Sequence, residues 1–209
     1  MKIKILIAGI ALGLTFPAAA MAMGFYAGIE GGTATVTDQT GTVAADLVNS
    51  LGGSAYVTQS ANVGIFRGFV GYGIIPMVAI ELGYVQTGDA NLNITGVTGG
   101  NVAYAGTGTE SVHGFDLSGI LHPILFGPGS GLFLRAGMSD YTETATLSLN
   151  SNFGSTYGSS SQSGTGENFG IGYDFGVGVG VLRTELTYAQ NIANDSSSKS
   201  TSFQVGYYW

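Results

Sequence analysis

Ser111 and His113 lie two positions apart with Glu110 beside them. In an extended segment that spacing puts a hydroxyl and an imidazole on one side, the pair a nucleophile and its base require. His113, Asp116 and Ser118 also contain the residue types of a hydrolytic triad. Alternation separates them, because His113 falls on the opposite face from the other two. No residue is therefore assigned as catalytic, and the chain is read as a non-enzyme. His122 precedes Pro123 and reads as a turn residue. Two histidines at opposite ends of a strand make no metal site, and without cysteine there is no thiolate site either. No metal and no cofactor are expected. Gly176 to Gly180 has the glycine spacing of a phosphate-binding loop but no helix to follow it, so it reads as a hairpin turn.

A second set of ionisable residues has a different character. Arg67, Glu81, Asp116, Arg135, Arg183 and Glu185 are embedded in stretches almost free of other charge. Counted from the nearest short turns, all six come at similar depth on the less apolar face of a strand. Three positive charges then face three negative ones in one layer. The structural expectation is a salt-bridge network plugging a narrow interior, and the functional alternative is a gate or narrow ion path. Glu30 points the same way, but at a height where water would reach it.

The elements that must hold these residues follow from the chain's ends, composition and rhythm. Lys2 and Lys4, the apolar run Ile5 to Phe16 and the small-x-small site Ala20-Met21-Ala22 predict a cleaved secretory signal over 1–22 and a single domain over 23–209. With Lys2 and Lys4 removed, four basic residues face thirteen acidic ones, which argues against nucleic acid as a partner. Charge is 9% of the chain and glycine 36 of 209 residues, yet residues 23–209 hold no apolar run long enough for a spanning helix. In a bilayer the remaining solution is a closed β-barrel.

Period-two alternation supports it. Val78, Ile80, Leu82 and Tyr84 alternate with Ala79, Glu81 and Gly83. Similar strands are predicted from Gly24, over 62–72, 111–121, from 131, over 167–175, over 181–190 and at the C-terminus through Phe203, Val205, Tyr207 and Trp209. The fold class is therefore all-β, an eight-stranded antiparallel transmembrane β-barrel with short periplasmic turns and long extracellular loops. Gly73–Met77, His122–Ser130 and Gly176–Gly180 are the predicted short turns. Residues 33–60, 88–109, 142–166 and 191–199 are the predicted long loops. Within them Ser159 to Gly164 is expected to be mobile, and Ala44 to Leu51 to form a short helix or an apolar patch. Asp38, Asp46, Asp89, Glu110, Asp140, Glu143, Glu167 and Asp195 read as a solvated acidic surface. Phe25, Tyr72, Phe175, Tyr207 and Trp209 read as one interfacial girdle, with Tyr84 and Tyr188 in the other.

The segments Gly24-Phe25-Tyr26-Ala27-Gly28, Ala79-Ile80-Glu81-Leu82-Gly83-Tyr84, Asp116-Leu117-Ser118, Arg135-Ala136-Gly137 and Val205-Gly206-Tyr207-Tyr208-Trp209 resemble the OmpA-like (porin-family, opacity-type) outer-membrane β-barrel proteins. The resemblance implies localisation in the Gram-negative outer membrane, contact with its lipid and lipopolysaccharide, and delivery by the barrel-assembly machinery through the C-terminal strand. Family members usually end in Phe, from which Trp209 departs. A monomer without a cell-wall tether is expected. The implied role is envelope structure and surface interaction, with an extracellular ligand held by the loops. A small pore is the alternative. A lipid A-modifying enzyme is the third reading, although Ser-x-His reverses the order found in lipid A deacylase barrels.

Overall fold

The computed structural model describes residues 24–37, 53–59, 62–75, 77–98, 103–127, 130–151, 154–192 and 198–209. They form ten strands: β1 Phe25–Thr37, β2 Gly53–Gln59, β3 Asn62–Ile75, β4 Val78–Thr87, β5 Ala90–Thr98, β6 Ala103–Gly127, β7 Ser130–Ser151, β8 Gly154–Val177, β9 Gly180–Gln190 and β10 Lys199–Tyr208. Eight of them close a ring. β1 pairs with β3, β3 with β4, β4 with β6, and β6 with β7. β7 then pairs with β8, β8 with β9, β9 with β10, and β10 with β1. All pairings are antiparallel, and the ring leaves no open edge at membrane depth, as backbone in hydrocarbon requires. β5 bonds the outer part of β6, and β2 bonds β5, so these two widen the sheet outside the ring.

The ring is inside-out relative to a water-soluble barrel. Val70 is 56% exposed, Leu117 60% and Met138 63%, whereas Arg67 and Arg183 are almost fully buried. The apolar outer belt faces lipid. Its periplasmic edge carries ring pairs Phe25–Tyr72 at 4.6 Å and Tyr207–Trp209 at 5.9 Å, and Tyr84–Phe115 at 5.2 Å lies toward the other edge. Except for Phe115, these residues are among the girdle positions predicted above.

Two predicted loops are largely strand. Residues 90–98 form β5, paired with the outer part of β6, and the 142–166 segment is a long hairpin of β7 and β8. Ser159 to Gly164, expected to be mobile, pair in register with Thr146 to Tyr141. The physical reason is a change of phase. On β7 the apolar residues Leu134 and Met138 face outward, but farther along Ala145, Leu147 and Leu149 are buried. Where the surrounding solvent changes from lipid to water, the apolar parity must switch sides, so a search for one continuous apolar face ends at the rim. The His122–Ser130 turn is also shorter than predicted, since β6 continues to Gly127. Glu110 and Glu143, read as solvated, are buried on the inner side of this outer sheet. The signal segment, Ala44 to Leu51, Asp38, Asp46 and Asp195 lie outside the described residues.

Hydrogen exchange tests the outer hairpin. Amides of Thr144–Asn150 and Ser159–Ser163 of the barrel in nanodiscs should exchange at least tenfold slower than unstructured amides of the same sequence. Exchange at the unstructured rate across both segments would contradict the pairing.

Candidate functional site

Inward parity brings the charged residues together. β1 sets Glu30 opposite Arg67 of β3, and the β8–β9 hairpin sets Asp174 opposite Arg183. Arg67 is the hub. Its Nε donates to Asp116 Oδ2 at 2.9 Å, Nη2 to Asp116 Oδ1 at 3.0 Å and Nη1 to Glu81 Oε2 at 3.1 Å. The same Nη1 reaches Glu30 Oε2 at 3.2 Å. Arg135 donates to Asp116 Oδ1 at 2.6 Å and to Glu185 Oε2 at 3.2 Å. Arg183 donates to Glu81 Oε1 at 2.6 Å and through Nε to Asp174 Oδ1 at 2.9 Å. All six predicted residues therefore belong to one connected set of ion pairs across the lumen.

The structure extends that set. Glu30, placed in water by the sequence reading, is 2% exposed and bound to Arg67. Asp174 was missed because it adjoins the glycine-rich turn. Parity carried one step beyond Gly170 and Gly172 would have found it. Five carboxylates thus face three arginines, rather than three facing three. His122 corrects another expectation, for it lies on β6 with Nε2 3.1 Å from Asp174 Oδ2. Tyr208 donates to the same carboxylate at 2.9 Å, and Tyr26 donates to Glu81 Oε1 at 3.0 Å. Ser118 Oγ accepts from Arg135 Nε at 3.0 Å and has Asp116 Oδ1 and Asn168 Oδ1 as acceptors for its one proton.

Aromatic faces complete the cradle. Arg67 stands 4.7 Å from the centre of the Phe69 ring, and Arg183 stands 4.4 Å from Phe133 and 4.8 Å from Tyr208. Such contacts are strongest where water is excluded. Glycine makes the room. A Cβ on Gly83 would come within 2.5 Å of Asp116 Oδ2 and 2.6 Å of Arg67 Nε, and one on Gly170 would collide with Glu185 Oε1. The high glycine content is in part a lumen requirement.

On the extracellular side of the charge layer lies a cavity of about 50 Å³, touched by Arg67, Asp116, Arg135, Asn168, Thr187 and Gln204. Above it Val85, Val112, Tyr141 and Ile192 form an apolar layer with Ile65 and Ala189 packed against it. On the periplasmic side Phe69, Val181 and Tyr208 pack with Tyr26. The lumen therefore runs from an aromatic layer through charge and a small polar void to an apolar seal. The hydrolase candidates do not converge. Ser111 and His113 share the outer face, Glu110 is buried on the inner face, and Asp116 and Ser118 are committed to the charge layer. Among the described residues no group of three or more His, Asp or Glu is arranged to hold a metal ion.

The model of the OmpA-like transmembrane domain family matches residues 20–207. The attachment invasion locus protein Ail of Yersinia pestis, solved with the heparin analogue sucrose octasulfate, shares 12% identity. It covers 90% of this chain and 100% of that one with a TM-score of 0.50, a likeness of fold. Neisserial surface protein A matches at 13% identity, over 88% of this chain and 96% of that one, with a TM-score of 0.48. The outer membrane protein OprG from Pseudomonas aeruginosa matches at 13%, over 89% and 96%, with a TM-score of 0.47. No curated protein matches the chain.

Arg135→Ala should cost about 3–5 kcal/mol of unfolding free energy, because it strands the buried Glu185 carboxylate. The readout is the urea midpoint in lipid bilayers, and an unchanged midpoint would remove the network as a source of stability. Gly83→Val should also lower that midpoint, by pushing Arg67 off Asp116, while an equivalent substitution at the exposed Gly64 should not.

Proposed function

The chain belongs to the OmpA-like transmembrane domain family, and from that premise we propose that it is a closed barrel of the Gram-negative outer membrane that reinforces the envelope and meets the outside through its extracellular sheet. The observation that carries this reading is the double closure of the lumen. An ion crossing it would first have to separate guanidinium–carboxylate pairs such as Arg183–Glu81 and Arg135–Asp116. It would then have to wet the layer of Val85, Val112, Tyr141 and Ile192, and apolar constrictions oppose conduction by dewetting. The void between the two layers has room for only a few waters.

Partners fit the same reading. The lipid-facing belt is the contact with outer-membrane lipid. β10 is the segment offered to the assembly machinery, and in the folded state Trp209, just past it, and Ala27 exchange backbone hydrogen bonds at 3.0 and 3.1 Å. A ring closed by its own strands needs no second copy, which favours a monomer. One observation supports a small pore instead: five lumen carboxylates against three arginines would favour cations if the seals parted. The lipid-modifying reading has less support, since Ser111 and His113 lack a convergent carboxylate.

Single-channel recording in a planar bilayer separates the two main readings. The refolded chain, shown folded by heat-modifiable gel mobility, should be silent, and single substitution of Tyr141 by Ala should leave it silent because the charge layer persists. Stable openings whose selectivity changes with Glu81→Gln would replace the structural reading with the pore.

A further inference from the structure

Between its two rims the apolar belt is shorter than the layer it must cross. On β8 the outward apolar residues begin at Phe169, beside the exposed rim residue Glu167, and run through Ile171 to the girdle residue Phe175. On β3 the matching run is Phe66 to Tyr72. Six residues of tilted strand rise only roughly 15 Å, whereas the apolar band of an outer-membrane barrel is about 25 Å tall.

The apolar surface does not stop at the girdle. Below Tyr72 it continues through Ile74 and Ile75, 55% and 56% exposed, to Met77. Below Phe175 it continues through Val177 to Val179, 78% exposed at the tip of the β8–β9 turn. Counted from Phe169 to that tip, the apolar wall rises roughly 22 Å, close to the height of the band. The turns supply what the strands lack.

Turn chemistry agrees. Val177 pairs with Gly180, and Gly178 takes the positive φ of 63° that this two-residue turn needs. The other central position, where a turn in water favours Asn, Asp or Ser, is Val179. Segments 73–77, 122–130 and 176–180 contain no Asp, Glu, Lys or Arg and hold three of the chain's four prolines. A proline has no N–H to leave unpaired, which matters most where water is absent. Two further amides at this end are paired, Gly73 N with Gly24 O at 2.6 Å and His122 N with Met77 O at 2.8 Å. The opposite rim is marked by the exposed charges Asp140, Glu167 and Lys199.

The girdle tyrosines fit the same level. A Cβ on Gly180 would collide with the Tyr207 hydroxyl, so this phenol points down to the β8–β9 turn. Its ring stays among apolar neighbours while its polar end snorkels to the depth of the tips. A periplasmic protein could also cover apolar turns. Continuity favours lipid, because the belt runs into the turns without a polar break.

We infer that the turns at the periplasmic end, through Ile74, Ile75, Met77, Val177 and Val179, are seated in the acyl chains of the inner-leaflet phospholipid. This rests on the outer-membrane reading above and departs from the expectation of turns in periplasmic water. The barrel then meets the inner leaflet with its end as well as its wall, and these turns are closed to a periplasmic partner.

The chain has no cysteine, so single nitroxide labels report single depths. The refolded chain in nanodiscs of phosphatidylethanolamine and phosphatidylglycerol would carry one label, at Ile75→Cys or Val179→Cys. Leu117→Cys is the belt reference and Ser161→Cys the water reference. Power saturation with oxygen and a water-soluble nickel chelate reads the depth. Both turn labels should match Leu117, with nickel access at least fivefold below that of Ser161. Nickel access equal to that of Ser161 at either turn would overturn the inference. A nitroxide is itself apolar, so Ile75→Asp combined with Val179→Asp supplies a reading without a label. Its refolded fraction should fall at least threefold below wild type in vesicles of eighteen-carbon chains and recover in twelve-carbon chains, where a shorter apolar wall suffices. Yields equal to wild type in both would also overturn it. A water-exposed Leu117 label would sink the outer-membrane reading as well, whereas turns in water beside a lipid-exposed Leu117 would remove this inference alone.

Discussion

Everything in this barrel depends on how eight strands fill their own interior. A ring of that size leaves just enough width for side chains, and backbone groups are already spent on the ladders. Inward side chains must therefore satisfy one another without bulk water. Arg67, Arg135 and Arg183 do so by each reaching two or more carboxylates. The geometry ties β1, β3, β4, β6, β7, β8 and β9 together from within, so the charge layer braces the ring across its lumen. Burial makes it stabilising only while complete, because one missing partner leaves a charge with no solvent to receive it.

That constraint explains the composition. Glycines such as Gly83 and Gly170 stand beside the guanidinium and carboxylate groups because a methyl there would collide with them. Phe69, Phe133 and Tyr208 lie against the arginines from the periplasmic side, where flat rings cover a planar cation and exclude water. Farther out the lumen changes to Val85, Val112, Tyr141 and Ile192, which need no partners at all.

Outside the ring the solvent dictates the pattern. In the belt the apolar side chains point away from the axis, and beyond the rim Leu92, Ile94, Leu147 and Leu149 are buried instead. β6, β7 and β8 continue without interruption through this reversal, so on these strands the membrane boundary is recorded in side-chain parity and leaves no break in the ladder. The outer hairpins consequently form a sheet with a buried apolar side and a neutral hydroxylated side.

The sequence by itself determined the class of fold, the family and most of the inner charge layer. Alternation over a strand depends on local geometry alone, and rare charges in an uncharged chain can only lie on the face away from lipid. Arg67, Glu81, Asp116, Arg135, Arg183 and Glu185 were legible for that reason. Glu30 and Asp174 were not assigned to the network, because membership depends on which side chain reaches across the lumen, and that follows from strand stagger around the closed ring. His122 was misread because local Pro and Gly signals suggested a turn where pairing with β7 extends the strand. The outer hairpins escaped because their apolar parity reverses at the rim. Only the tertiary structure could decide these points, since each depends on a partner far away in sequence or on a solvent boundary that no single residue encodes.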